Sequence, residues 1–597
     1  MSYPKYRAAG IVVGDDWDAL VRTVLSYGGA TAVVGFNANL TGRENYFLCD
    51  GTADDVQIQA AIDYVSALGG GSTFVERGTY EITQTITIPD NITLAGTGST
   101  TLLRSSNGAA GHVIENVDYA TGANSNIVIR DLKINARRSV RGGAVRCITA
   151  KLIDSEILNC HFEDAWTFVQ LEVGTLGSII SECQCDTAAD TGLALWDAEL
   201  TKISNCTVHG CVEAGIEFDG VCVSCVAEGN TVYDCLDGLE LDIQGADVPI
   251  SCAFIGNTIK EVTNNGIAVG YGSLHTITGN TIYDAVQGIR VLDASFCTIS
   301  HNTVTLTTVG IYSQKWRNIF IGNVIRDTIE HGMQLLADDT VVKGNIVDSV
   351  DSSSTNTYSN IYVDGDYCIV EGNLLLDIEA YDMAYGVEVG SNAQYIQVKN
   401  NIFSFGGSEW GIHVSTGATR TDVRGNELLR VAWNRRILNE GTDTIFDFEV
   451  LNFIGGTTLL SADGSPKGYE IDDVDEWALT CGWTPPNGRR IMNIRVTAVG
   501  LVDPGVGNKM LLTLNANGGK SDEQYTAEPV VVTNKGTEEI DFDVNDIITW
   551  IFTGSDDVDI SHMDDKHSIE IKLKYNAAVA ADVATDAVLR NVVIEHI

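Results

Sequence analysis

Residues 205–244 read NCTVHGCVEAGIEFDGVCVSCVAEGNTVYDCLDGLELDIQ. Two copies of one pattern lie within this stretch, NCTVHGCVEAGIEFDG from 205 and GNTVYDCLDGLELDIQ from 229. In each, an Asn or Cys begins a short alternating run, and a Gly opens a second run a few residues later. Gly215 and Gly238 are followed by Ile-Glu-Phe-Asp and Leu-Glu-Leu-Asp. With a side-chain period of two, the alternation places Ile216, Phe218, Leu239 and Leu241 on one face of a strand. Glu217, Asp219, Glu240 and Asp242 fall on the other.

The same unit recurs on both sides of this stretch. One register runs through Cys160, Cys183, Cys206, Asn230, Asn257, Asn280, Asn302, Asn323, Asn345, Asn373, Asn401 and Asn426, at intervals of 21 to 28 residues. A second runs through Gly192, Gly215, Gly238, Gly266, Gly288, Gly310, Gly332, Gly386 and Gly411, with Asn360 standing between Gly332 and Gly386. Two markers moving in step define a repeat. Its period is too short for helical-pair repeats, which need roughly 33 residues, and the Leu pattern of leucine-rich repeats is missing. The runs are Val, Ile, Thr and Tyr alternating with polar residues and broken by Gly, Asn and Asp, so they read as short strands joined by turns. One such unit cannot bury its apolar face alone. Coiling pairs each strand with its equivalent one rung away, which predicts an all-β parallel β-helix. Identical side chains then stack at roughly 4.8 Å, and the Asn register becomes an internal ladder. Cys160, Cys183 and Cys206 take the same positions as small buried hydrophobes, and Cys211 and Cys235 form a similar pair.

Composition bounds what such a protein does. In 597 residues there are 60 Gly and only 8 Pro, which suits a turn-rich β protein too long for one compact core. A formal charge of −43 excludes nucleic acid and anionic membrane as natural partners, since both require basic patches. It fits a soluble surface protein or one that binds divalent cations. The 14 Cys follow the repeat and not a disulfide framework, which predicts mainly free thiols. No run of 18 apolar residues occurs, and MSYPKYRAAGIVVG lacks the apolar core of a signal peptide. The expectation is synthesis without export, with a virion or cell lysis carrying the protein outside.

Residues 1–46 are not repetitive and read as a capping or attachment segment, with a short helix over Asp16–Ser26 and a strand over Ala30–Phe36. Residues 47–98 contain Asp50-Gly51-Thr52-Ala53-Asp54-Asp55, an amphipathic helix over Val56–Leu68, then Gly69-Gly70-Gly71. The strand Ser72–Val75, Gly78-Thr79-Tyr80 and Ile86–Gly96 follow. Asp54 or Asp55 can cap the start of the helix, and the helix can plug the open apolar end of the coil. This order resembles the opening of the pectate-lyase-3 type β-helix superfamily, common in phage tailspikes and in polysaccharide-degrading enzymes. The resemblance implies a right-handed coil over 47–440 with a short N-terminal capping helix, and a homotrimeric, tailspike-like virion surface protein that meets a host polysaccharide. Attachment to the phage tail or virion would go through the N-terminal segment.

Wider spacings mark insertions near Gly245–Ser251, Asp351–Thr357 and Glu379–Ala384, where a coil of this kind builds a binding groove. From 441 to 597 the repeat stops. GYEIDD, EWALTCGW, RRIMNIRVTAVG, KMLLTLNANGG, DIITWIFTG, HSIEIKLKYN and RNVVIEHI read as strands of an antiparallel β-sandwich or jelly roll. Such a domain can serve trimerisation, capping or glycan binding.

The row after the second-register Gly carries the candidate chemistry. Rung by rung it reads Ala194 and Trp196, Glu217 and Asp219, Glu240 and Asp242, Ala268 and Gly270, Arg290 and Leu292, Tyr312 and Gln314. At one rung's separation Glu217 and Glu240 approach the roughly 5–5.5 Å of a retaining glycosidase pair, and the diagonal Glu217–Asp242 falls near the inverting range at about 8 Å. Like charges this close raise at least one pKa, which a general acid requires. Glu217, Glu240, Asp242 and Asp219 are therefore candidate catalytic residues. Trp196, Tyr271, Tyr312 and Trp316 can stack on sugar rings, and Arg290 can hold an acidic sugar.

The competing reading is a solvated acidic face, or one that binds Ca²⁺ through stacked carboxylates. No cofactor is otherwise required. His209, His275, His301, His331 and His413 are scattered, with His331 and His413 as possible bases of a polysaccharide lyase. Cys222 and Cys225 form a lone CxxC on a repeat turn and read as structural. The Asp-Asp and Ser-Arg-Gly signatures of polygalacturonases and the Asp-His motif of pectate lyases are missing. Three functions follow: a glycoside-hydrolysing depolymerase, a non-catalytic adhesin binding glycan and Ca²⁺, or a lyase.

Overall fold

The structure is a computed structural model. It describes residues 30–40, 45–106, 111–242, 248–351, 357–377, 383–405, 410–429, 437–440 and 445–446, and beyond these only strand backbones between 469 and 596. The expected helix over 16–26 lies outside the described residues, as do residues 245–247, 352–356 and 379–382 of the three expected insertions. The chain divides into two compact units, residues 1–329 and 330–597.

In the first unit the rungs between 202 and 241 contribute three short strands each, while in later rungs two of these merge, as in Thr281–Ser295 and Thr303–Ser313. Lys202–Ser204, Thr207–His209 and Ala214–Asp219 form one rung, and Val226–Glu228, Thr231–Tyr233 and Asp237–Leu241 form the next. All three pair in parallel with their equivalents, without a register shift. Alternation puts Ile203, Ala227 and Phe254 in one buried column and Ile216, Leu239 and Ile267 in another. The apolar columns supply the burial that no single rung could.

The corner between the first two strands of a rung explains the first register. The residue before each marker adopts a left-handed conformation: Asn205 at φ +55°, Gly229 at +66°, Gly256 at +62°, Gly279 at +69°. Gly and Asn tolerate that region best. The following Asn turns inward. Asn257 Oδ1 accepts from both the backbone N–H and the side-chain amide of Asn230, at 2.9 and 3.0 Å, and Asn257 Nδ2 donates to Ala227 O at 3.0 Å. Asn280, Asn302 and Asn323 continue the array, each amide satisfied by the rungs beside it. The ladder meets the cysteine segment where Asn230 Oδ1 accepts from the Cys206 N–H at 2.9 Å. Cys160, Cys183 and Cys206 are at most 2% exposed, and every cysteine with a described side chain is a buried free thiol.

The second register is a close-approach requirement. A Cβ on Gly215 would sit 2.3 Å from Val232 Cγ1, and one on Gly238 would sit 2.4 Å from Gly266 O.

The helix Asp55–Ala67 buries Ile58, Ala61, Ile62 and Val65 on one face, against strands that include Ala30–Gly35 and Gly71–Val75. Ala30–Gly35 itself pairs in parallel with Gly71–Val75. The expected side-chain cap is absent. Asp54 is itself helical in φ and ψ, and its carboxylate turns away to accept N–H groups of Asp50, Gly51 and Glu81. Asp55 accepts from the Thr83 N–H and hydroxyl. Both aspartates tie the Asp-Gly-Thr loop and helix start to the strand Gly78–Ile82 and the turn after it.

In the second unit, Met333–Leu335, Ser359–Val363, Tyr385–Val389, Trp410–Val414 and Ile437–Asn439 stack in parallel. Asn345, Asn373, Asn401 and Asn426 form its ladder. The seven stretches read as C-terminal strands coincide with strands that pair antiparallel, in one set of four and one of three. No helix among the described residues is long and apolar enough to cross a membrane.

Candidate functional site

The expected row forms as a continuous register. Ala194, Glu217, Glu240, Ala268, Arg290 and Tyr312 are successive parallel partners, and Trp196 pairs with Asp219. The strands fix these positions through the buried side chains on their other face, so the spacing of the acids is set by the coil.

Burial along the row is uneven, and Asp219 departs from the expectation of an outward position. Asp219 is 2% exposed, Ala194 1% and Ala268 6%. Glu217, Glu240 and Asp242 are half-buried.

Burial dominates their electrostatics. The Glu217 carboxyl is pushed up to about 7, first by desolvation and then by Asp219, Asp190 and Asp242, against the opposing effect of a 2.9 Å hydrogen bond from the Thr191 hydroxyl. Glu240 is pushed up to about 8 by desolvation, then by Asp237, Glu217 and Asp242. Glu213 is raised as well, by burial and by Asp190. Asp219 accepts from the Gly220 N–H at 2.7 Å, and a Cβ on Gly270 would lie 3.6 Å from Asp242 Oδ1. Near neutrality the pair Glu217–Glu240 holds at least one proton, the ionisation state that acid–base chemistry on a neutral substrate requires.

Two donors on the same row are buried with no partner among the described residues: Trp196 Nε1, one rung before the glutamates, and Arg290 Nε, two rungs after Glu240. A buried donor without an acceptor is costly. Tyr312 is the next partner after Arg290, and its hydroxyl meets the Gln314 amide. The two other aromatic candidates are not in the row. Tyr271 pairs with Asp293, and its carbonyl accepts from His275 Nε2 at 3.1 Å. Trp316 is 48% exposed beneath the Arg317 guanidinium.

Thr191, Asp190, Glu213 and Asp237 join this site without having been singled out in the sequence. The available signal was position: Glu213 and Asp237 flank the register Gly on the carboxylate rungs. Asp237 accepts from the Asn265 N–H and side-chain amide, both at 2.7 Å.

The corresponding row of the second unit reads Gln334, Tyr362, Glu388, His413 and Leu438. Glu388 accepts from the Ser359 hydroxyl at 2.6 Å and lies 3.6 Å from His413 Nδ1, while His413 stacks on Tyr385 at 4.3 Å. His331 stacks on Tyr362, and burial lowers its pKa, keeping it neutral. His275 serves the backbone. Its Nδ1 accepts from Cys252 N–H at 3.2 Å, and burial takes it down to about 4. As to metals, the row acids do not form a three-ligand group; among the described residues such convergence occurs elsewhere.

Residues 169–334 and 244–410 match the family model described as periplasmic copper-binding protein (NosD). No curated protein matches the chain. A mutant tailspike protein of E. coli bacteriophage HK620, in complex with a hexasaccharide, is similar over 96% of this chain and 94% of that one, at 11% identity and a TM-score of 0.54. Another mutant of that tailspike, with a pentasaccharide, gives 11% identity, 96% and 95% coverage and a TM-score of 0.54. The Azotobacter vinelandii mannuronan C-5 epimerase AlgE6 A-module shares 16% identity over 65% of this chain and 98% of that one, with a TM-score of 0.42. The tailspike likeness shows the fold, a right-handed parallel β-helix.

Proposed function

We propose that the chain binds a cell-surface polysaccharide along the Trp196–Tyr312 row and hydrolyses its glycosidic bonds there. The observation that carries this reading is the pair of register-partner glutamates, both raised into the neutral range by burial and by neighbouring acids. Glu240, the more strongly raised, delivers its proton to the glycosidic oxygen as the bond to the anomeric carbon breaks. Glu217, the first to ionise, attacks that carbon or directs water to it. Water supplies hydroxide to the sugar and returns a proton to Glu240. One rung of separation, about 4.8 Å, favours the attacking role. Trp196 and Tyr312, both only half-buried, offer ring faces to the sugars, and Arg290 the outer nitrogens of its guanidinium. The likeness to a tailspike crystallised with oligosaccharides supports a glycan partner. With it come the remaining parts of the proposal: a virion-surface location, a homotrimer, attachment through the N-terminal segment and a C-terminal sandwich.

The reading is tested by incubating the purified protein with acidic and neutral bacterial surface polysaccharides, with and without EDTA, and sizing the products. Shortened oligosaccharides insensitive to EDTA support it. Intact polymers across the panel, with the protein retained on some of them, favour a non-catalytic adhesin. Products absorbing in the ultraviolet would instead identify a lyase, for which the Glu388–His413 contact is the place to look.

A further inference from the structure

A separate cluster lies on the second strand of three successive rungs, His161–Ala165, Gln184–Ala188 and Thr207–His209. Glu163, Asp186, His209 and Tyr233 are successive partners in one column, and His161 sits two residues before Glu163. Asp186 stands between two imidazoles. Its Oδ2 is 2.8 Å from His161 Nε2, and its Oδ1 is 2.7 Å from His209 Nε2. Glu163 Oε1 lies 3.5 Å from His161 Nε2. The ligand atoms of His161, Glu163 and Asp186 all fall within 4.8 Å of one another. The remaining contacts are Lys133 Nζ on Glu163 Oε1 at 2.6 Å, the Asn135 amide on Glu163 Oε2 at 3.2 Å and the Gln184 amide on Asp186 Oδ1 at 3.5 Å.

We propose that His161, Asp186 and His209, with Glu163 beside them, form a Zn²⁺ site that clips three rungs of the coil together. The ligand atoms of the His161 imidazole and the Glu163 and Asp186 carboxylates converge, and a second imidazole, His209, stands on the other Asp186 oxygen. Nitrogen and oxygen donors together match the preference of a borderline cation, whereas Ca²⁺ and Mg²⁺ call for oxygen alone. At present each Nε2 must donate a proton to Asp186. A metal replaces those two donors with two lone pairs, and each neutral ring carries its proton on Nδ1 instead. The ligands are held before any ion arrives. The strands fix their rung positions, and the His209 ring stacks on Tyr233 at 4.7 Å and 13°, with Lys260 over the far side of the same system at 5.0 Å from the Tyr233 centroid. The four side chains are only 20–27% exposed, so an ion would exchange most of its water for protein. Glu163 and Asp186 carry two negative charges against the single positive charge of Lys133, which leaves the cluster net negative and attractive to a cation.

The test titrates ZnCl₂ into full-length protein stripped of metal with EDTA and dialysed free of chelator. One Zn²⁺ per chain is expected in the wild type. The variants His161→Gln and His209→Gln should weaken it by more than about 100-fold while retaining the wild-type circular dichroism. Ca²⁺ in excess should not compete. Zinc uptake equal in wild type and both variants overturns the proposal, as does no stoichiometric uptake at all. X-ray absorption of the zinc-loaded wild type decides independently of any variant's folding. A shell with two nitrogens at about 2.0–2.1 Å supports the site, and an all-oxygen shell refutes it.

Discussion

Glu217 and Glu240 are register partners on adjacent rungs, yet their surroundings differ. Glu217 receives the Thr191 hydroxyl at 2.9 Å, which favours its ionised form, whereas Glu240 meets the added repulsion of Asp237. One proton on this pair therefore resides on Glu240. That asymmetry assigns the acid and the base, and it makes the two residues unequal under mutation.

Glu240→Gln removes the transferable proton but keeps the shape of the side chain. Turnover should fall by about 10²–10⁴-fold with glycan retention unchanged, read by product sizing and by affinity electrophoresis on the same polymer. In the wild type, activity should decline as pH rises through about 8, where Glu240 loses its proton.

Stability should follow the same titration. Both glutamates bind protons more tightly folded, near 7 and 8, than at their ordinary 4.5. Below pH 4.5 both states are protonated and nothing is lost. As pH rises through this window to about 8 the unfolded chain sheds its protons first, and folding stability falls. Glu240→Gln should be more stable than wild type by on the order of 2 kcal/mol near pH 9 and equal to it near pH 4, measured by urea unfolding.

Asn280 is held on both sides of its rung. It accepts from the Asn257 N–H and amide and donates to Phe254 O and Asn302 Oδ1, each at 2.9 Å. Asn280→Ala leaves the buried Asn257 N–H without an acceptor and opens a cavity. The expected loss is about 3–5 kcal/mol in denaturant unfolding. An unchanged midpoint would mean that the ladder is ornamental.

Two glycines separate backbone conformation from crowding. Gly256 sits at φ +62° with open space where a Cβ would go, so Gly256→Ala should cost only about 1–2 kcal/mol of left-handed strain. At Gly238 the added Cβ would meet Gly266 O at 2.4 Å and Ile259 Cγ2 at 2.5 Å. Gly238→Ala should cost more than about 3 kcal/mol or abolish folding, read by thermal unfolding of the two variants side by side.

The coil was legible in the sequence because its two markers answer local demands repeated at every rung. A left-handed corner is followed by an inward amide or a small buried thiol, and a tight approach near Val232 or Ile259 excludes any side chain. The carboxylate row was legible for the same reason, since strand alternation and register are periodic. Depth was not. Alternation places Asp219 on the face opposite Phe218 but does not say that Asp219 itself is buried to 2% exposure while Glu217 beside it is only half-buried. Nor does it reveal that Asp54 bonds to the Glu81 N–H 27 residues away instead of capping its own helix. His161, Asp186 and His209 look scattered along the chain, although 161, 186 and 209 are separated by 25 and 23 residues, close to one turn. Reading every column of the repeat, and not only the most acidic one, would have assembled them.

The corner that joins a left-handed Gly to an inward Asn has a consequence for inheritance. Within the asparagine ladder each corner offers its neighbours the same donors and acceptors, so those rungs are interchangeable parts. Excising residues 257–279 would join Gly256 to Asn280 and leave a Gly-Asn corner beneath Asn230, as before. Recombination can thus lengthen or shorten the coil by whole turns without inventing a new interface, and only residues on the outer rows need to change when the protein meets a different target.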